Sequence, residues 1–312
     1  MFVACGDPAA SSTKDSVPAV QVHTSVYIEQ ISHIDEKNQT FDIVCSLAFV
    51  WKGGNDRLHL NIVNAAPGLS ILNETVRTLE SGDRLQNIRL SGSLSSEMFF
   101  KRFPFDAQTL SLEIEDFDSR LSELEFVPAD TVPAMDPRVS LSDWHVRRGA
   151  LGTVAHEYRG MFMGRKVSHT FSRLRMTLGI SRRSAYYYVY FFIPLGILVI
   201  VSFLPLCCQG SEMTLEGKNQ VGLAAFLSII ALQFTLSDKL VKTGYLVFMD
   251  QVFVICYVFI FVTLVLIDLQ YILETRGRPG DRIPRLIAKL LYIGCPCALL
   301  LVLAITTCRT FL

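Results

Sequence analysis

What this chain can fold into is constrained most by four long apolar segments toward its C-terminal end, 186–206, 217–236, 246–269 and 286–306. A helix rises about 1.5 Å per residue, so roughly 20 residues cover the ~30 Å of hydrocarbon in a bilayer. Lipid cannot hydrogen-bond a peptide group, and segments this apolar must close their backbone bonds internally, as helices. Tyr186, Tyr187, Tyr188 and Tyr190 at the start of the first segment suit an interfacial aromatic belt. After the third, Arg276, Arg278, Arg282, Arg285 and Lys289 stand against Glu274 and Asp281 alone, a positive excess that assigns this loop to the cytoplasm. Four crossings then place both termini, and everything before residue 184, on the extracellular or periplasmic side of a multi-pass cell-membrane protein.

The part before residue 184 has a different texture. Val20–Ile28, Thr40–Trp51, Leu85–Leu90, Thr109–Ile114 and Val167–Ile180 alternate apolar and polar positions, separated by turn-rich pieces such as WKGGND and ESGD. The pattern predicts an antiparallel β-sandwich of about ten strands over residues 20–183, followed by a membrane domain over 184–312. Residues 1–19 are expected to form a leader or disordered segment.

Composition excludes several classes of function. Lys+Arg 29 equals Asp+Glu 29, so no net positive field invites nucleic acid. Six of the eight cysteines fall in the apolar half and only Cys5 and Cys45 precede it, which implies no disulfide framework. The six histidines, His23, His33, His59, His145, His156 and His169, show no metal-ligand spacing, and no nucleophile elbow or phosphate loop occurs. No enzyme, metal or cofactor is expected. Cys295-Pro296-Cys297 within the last segment resembles the ion-binding motif of heavy-metal pumps, but the cytoplasmic loops are too short for the ATP-binding domain such pumps need.

The second apolar segment carries the most informative pattern. Read as a helix, Glu216, Gln220, Ala224, Leu227, Ala231, Phe234 and Asp238 recur every three or four residues and share one face. On the plainer reading, the acids only mark where the membrane ends. Gln220 argues for more, because an amide at membrane depth needs partners that lipid does not supply. A water-filled axis lined by this face supplies them.

The run Phe103-Pro104-Phe105-Asp106-Ala107-Gln108 then resembles the signature of the pentameric ligand-gated ion channels, the Cys-loop receptor superfamily. LEIEDF at Leu112–Phe117, FSRL at Phe171–Leu174 and FFIPLG at Phe191–Gly196 point to its amine-gated bacterial branch. The family's loop cysteines would fall at Ser96 and Leu110, so its loop disulfide is absent, as in the bacterial members. Ala65-Ala66-Pro67 also departs from the Trp-x-Pro usual in the first binding loop.

The resemblance implies a homopentamer of identical subunits in a lipid bilayer that conducts monovalent cations when a small agonist, a primary amine, binds between subunits. Gating by pH, or a ligand sensor without a pore, are the alternatives. It implies ligand-binding roles for Glu115, Phe117, Tyr158 and Phe171 on one subunit, with Tyr27 and Asn87 contributed by its neighbour. The three aromatic rings would attract the ammonium and Glu115 would supply the counter-charge. It implies a pore lined by the seven-residue stripe, and coupling between domains through Asp106, Arg182 and Asp35.

Overall fold

The computed structural model of the chain describes residues 18–162, 165–207, 213–237, 244–276 and 282–311. The expected leader over residues 1–17, the loop 238–243 with Asp238, and Arg278 and Asp281 lie outside the described residues.

Ten strands build two sheets: β1 (Val20–Asp35), β2 (Thr40–Trp51), β3 (Leu60–Ile62), β4 (Ser70–Thr78), β5 (Arg84–Ser95), β6 (Ala107–Asp116), β7 (Leu124–Pro128), β8 (Ala134–Met135), β9 (Trp144–Phe162) and β10 (Arg165–Arg182). One sheet has the order β4-β5-β2-β1-β7, with β8 also on β1, and the other has the order β3-β6-β10-β9. The alternation in β2 shows why the sheets pack. Phe41, Ile43, Cys45, Leu47, Phe49 and Trp51 are all buried while every residue between them is only partly so. Burial pushes the Cys45 thiol up to about 12, since a thiolate there would lose its hydration.

The expectation of a purely antiparallel sandwich needs correction. β7 and β8 run parallel to β1. The chain leaves β6 in one sheet and returns beside β1 in the other, and a crossover of this kind allows parallel pairing where a hairpin does not.

Four helices follow: α1 (Ala185–Cys207), α2 (Leu215–Ser237), α3 (Phe248–Arg276) and α4 (Arg282–Phe311). A π-helical turn, Tyr188–Phe192, opens α1 just before Pro194. Proline has no N–H to donate and its ring crowds the preceding turn, which a wider turn relieves. By length and composition α1, α2 and α3 can cross a membrane. α4 runs without a break across the fourth span expected at 286–306, and its apolar stretch among the described residues is Pro296–Thr310.

Close packing sets the face that α2 leaves free. A Cβ on Gly222 would meet Leu264 Cδ2 of α3 at 2.4 Å, so any larger residue would have to displace the Leu264 side chain. Ala225, Ile229 and Leu236 are buried on the same side, Phe226 meets Tyr257 at 5.5 Å between ring centroids, and Tyr257 donates to Gln233. The two domains meet at the loop before β6. Phe105 contacts the rings of Tyr188, Phe192 and Phe248 at 5.5 to 5.9 Å. The N–H of Phe248 donates to the Lys101 carbonyl at 2.9 Å, that of Phe100 to Tyr245 Oη at 3.0 Å, and Arg102 Nε to the Thr310 carbonyl at 3.0 Å.

Candidate functional site

On the outer face of the β3-β6-β10-β9 sheet, alternation turns the odd residues of β6 and β10 away from the core. Arg173 stands opposite Glu115, and His169 opposite Tyr158. Three of the expected ligand residues converge here. The rings of Tyr158 and Phe171 meet edge to face at 5.7 Å, with His156 against Tyr158 at 4.6 Å. Tyr158 Oη donates to Glu115 Oε2 at 2.9 Å.

Glu115, however, does not offer a free charge to a ligand. Arg173 Nε donates to its Oε1 at 2.6 Å, Arg173 Nη1 to Glu113 Oε2 at 2.8 Å and Arg173 Nη2 to Tyr158 Oη at 3.1 Å. The side chains of Arg173 and Glu115 are 7% and 5% exposed. A carboxylate so deeply placed requires a cation and hydrogen bonds to remain charged, and the chain supplies both. Burial alone would lower the pKa of Arg173, but the Glu115 hydrogen bond and the neighbouring carboxylates hold it above its usual value. Burial, then the bond to Glu115, raises that of Tyr158.

Phe117 stands apart from this group. It is 73% exposed, its N–H is held by the His59 carbonyl at 2.9 Å, and it lines a separate cavity of about 350 Å³ with His59, Asn61, Glu74 and Gln86. The turn after β6 carries it there, since Asp116 accepts from the N–H groups of His59, Asp118 and Ser119. Tyr27 and Asn87 lie on the other sheet, where they line one cavity of about 490 Å³ together with Ser46, Thr75, Arg89 and Asp130. The two expected half-sites therefore belong to opposite sheets of one chain.

At the membrane end, Arg182 closes β10. Its Nε and Nη2 grip Asp106 Oδ1 and Oδ2 at 2.7 and 3.2 Å, and its Nη1 reaches Glu36 Oε1 at 2.7 Å. Gln108 Nε2 donates to Asp106 Oδ2 at 2.7 Å. Burial opposes the charge on Arg182, but these two carboxylates raise its pKa further than burial lowers it. Asp35 is not part of this group. Its carboxylate accepts from the N–H groups of Lys37 and Asn38 and from the Asn38 amide, closing the turn between β1 and β2.

On α2 the described stripe residues, Glu216, Gln220, Ala224, Leu227, Ala231 and Phe234, are all exposed, Leu227 by 65% and Phe234 by 70%. Gln220 Nε2 donates to Glu216 Oε1 at 3.3 Å, one turn earlier. Lys218 is buried off the stripe.

Sequence reading missed Arg173 and Trp144, whose ring lies under Arg182. A cation at an outward position of β10, next to the glutamates of LEIEDF, was a signal for Arg173. Trp144, one of only two tryptophans, carried none beyond its rarity.

No family model matches the chain. It is 24% identical over 205 residues to the pH-sensitive chloride channel 2 of Drosophila melanogaster, which covers 64% of this chain and 38% of that protein. With the gamma-aminobutyric acid receptor subunit gamma-1 of Rattus norvegicus it shares 21% over 272 residues, 78% of this chain and 56% of the relative. The Homo sapiens subunit of that name is 20% identical over the same length. The chain thus spans about two-fifths to just over half the length of these relatives, which are by name a channel and receptor subunits, not enzymes.

Proposed function

We propose that this membrane protein is the subunit of a ligand-gated ion channel, built as a homopentamer in the cell membrane with its β-sandwich and both termini outside. The observation that carries the reading is the division of α2. One face is buried at Gly222, Ala225 and Ile229, with Gly222 against Leu264 of α3, while the face from Glu216 to Phe234 is exposed in the single chain. Five copies turned inward would surround a water column with that face. A ring of Glu216 then concentrates monovalent cations at the cytoplasmic mouth and repels anions. Gln220 solvates a partly dehydrated ion, and the apolar rings of Leu227 and Phe234 close the path by dewetting. Cation selectivity is the finer part of the proposal, since one relative is named a chloride channel.

The agonist site lies between the Tyr158 and Phe171 face of one subunit and the Tyr27 and Asn87 cavity of the next. A small primary amine fits aromatic faces, each contributing about 0.5–2 kcal/mol to holding a cation. Its charge then rests on those rings, because Arg173 already neutralises Glu115. An agonist opens the channel only by binding the open state more tightly than the closed one. Gating by pH is the second reading, favoured by the Drosophila relative's name. The test is current through the purified protein in planar bilayers, first with propylamine-sized amines at constant pH, then with pH steps and no amine. Saturable amine binding without current in either protocol would make the protein a ligand sensor instead.

A further inference from the structure

Trp144 is the first residue of β9 and stands opposite Arg182, the last residue of β10, in the strand ladder. Its ring lies 4.2 Å from Arg182 Cζ, and the ring of Phe103 lies 4.9 Å from the same atom. Trp144 is 4% exposed, as is the Arg182 side chain. The edges of the guanidinium are taken by Asp106 and Glu36, and the two rings contact it as well. Carboxylates on the edge fix the group within its plane but leave it free to tilt. A ring face against that plane removes the tilt.

The placement gives the contact a role. β9 carries Trp144 at one end and Tyr158 at the other, and β10 carries Arg182 and Phe171 in the same order. Arg182 is followed after two residues by α1. The ladder therefore joins the aromatic site to the first membrane helix, and Trp144 and Arg182 form its lower rung.

We propose that Trp144 is a positioning residue for transmission between the domains: its ring holds the Arg182 guanidinium in the plane that lets Asp106 and Glu36 engage it together, so that motion at Tyr158 and Phe171 reaches α1. The proposal rests on the channel reading for its functional half, and the stack itself can be judged without it. A tryptophan that only fills space would be replaced as well by leucine as by phenylalanine.

The experiment compares Trp144→Phe with Trp144→Leu in the full chain. With whichever stimulus opens the channel, Trp144→Leu should raise the half-activating dose about tenfold with equilibrium binding unchanged, whereas Trp144→Phe should stay within about threefold of the wild type. Equal effects of the two substitutions would overturn the functional half. Independently, thermal midpoints of Trp144→Leu, Asp106→Asn and their combination should be non-additive, because both act on the same guanidinium. In a Trp51→Phe background Trp144 is the sole tryptophan, and Asp106→Asn should shift its emission. Additive midpoints with unchanged emission would overturn the stack. A protein that passes no current under any stimulus would sink the channel reading and, with it, transmission; the cycle and the emission would still decide whether Trp144 holds Arg182.

Discussion

Replacing Arg173 with alanine tests the neutralised site most sharply. The substitution removes the only cation paired with Glu115 among the described residues, and the Glu115 side chain is 5% exposed. Removing one partner of a buried pair costs about 3–5 kcal/mol, chiefly because the other charge is left uncompensated. For a unit the size of the 20–183 sandwich, each kcal/mol lowers the thermal midpoint by roughly 2–4 °C, so the loss should be about 6–20 °C. Arg175 provides the control. It is 41% exposed and meets Glu113 at 2.8 Å, but its Nε lacks hydrogen-bond alignment with any partner. Arg175→Ala should therefore cost about 0–1 kcal/mol. The assay is thermal unfolding of the purified protein in detergent, followed by the circular dichroism of the strands. Glu115→Gln added to Arg173→Ala should recover at least half of the loss, since the orphaned charge is gone. A midpoint within 3 °C of wild type for Arg173→Ala, or a double variant no better than the single, would refute the reasoning.

On the channel reading proposed above, Leu227→Ser should make the apolar ring on α2 easier to wet, and recorded currents should then show a lower half-activating dose; an unchanged or higher dose would move the gate to Phe234. Glu157 bonds to Arg159 at 2.6 Å and to Ser168, and these bonds, Arg159 first, hold its carboxyl down to about 2. A carboxylate depressed on folding stabilises fully above its ordinary value and loses that contribution progressively as pH falls from there through its folded value. Hydrogen exchange in the β9–β10 hairpin should therefore stay level from neutral pH to about pH 5 once corrected for intrinsic rates, and early loosening there would show that this pair does not hold the strands.

Much of the fold was legible because burial repeats with the period of each element. The six alternating core residues of β2 needed no partner to be read, and the stripe on α2 emerged from spacing alone. The parallel pairing of β7 with β1 was not legible, because alternation fixes which face of a strand is buried and says nothing about direction. Among the site residues, the Asp106–Arg182 pair was reached only through the family resemblance, which implied a coupling role for both partners. The Arg173–Glu115 pair was not read as a pair although both members lie in quoted motifs, since they meet only through the register of β6 and β10. Phe117 was expected to share a cation site with Tyr158 and Phe171 because the resemblance implied it, yet β6 ends at Asp116 and the Asp116-capped turn carries the ring away.

The central claim, that the exposed face of α2 lines an ion path, is tested most directly by the reversal potential of the open channel in a tenfold potassium chloride gradient, with Glu216 intact and as Glu216→Lys. A perfectly selective pore reverses about 59 mV from zero, with the sign set by the permeant ion. The wild type should reverse near the potassium potential, and Glu216→Lys should move it toward the chloride potential. Reversal at the chloride potential in the wild type, or a potential that ignores the substitution, would contradict the account.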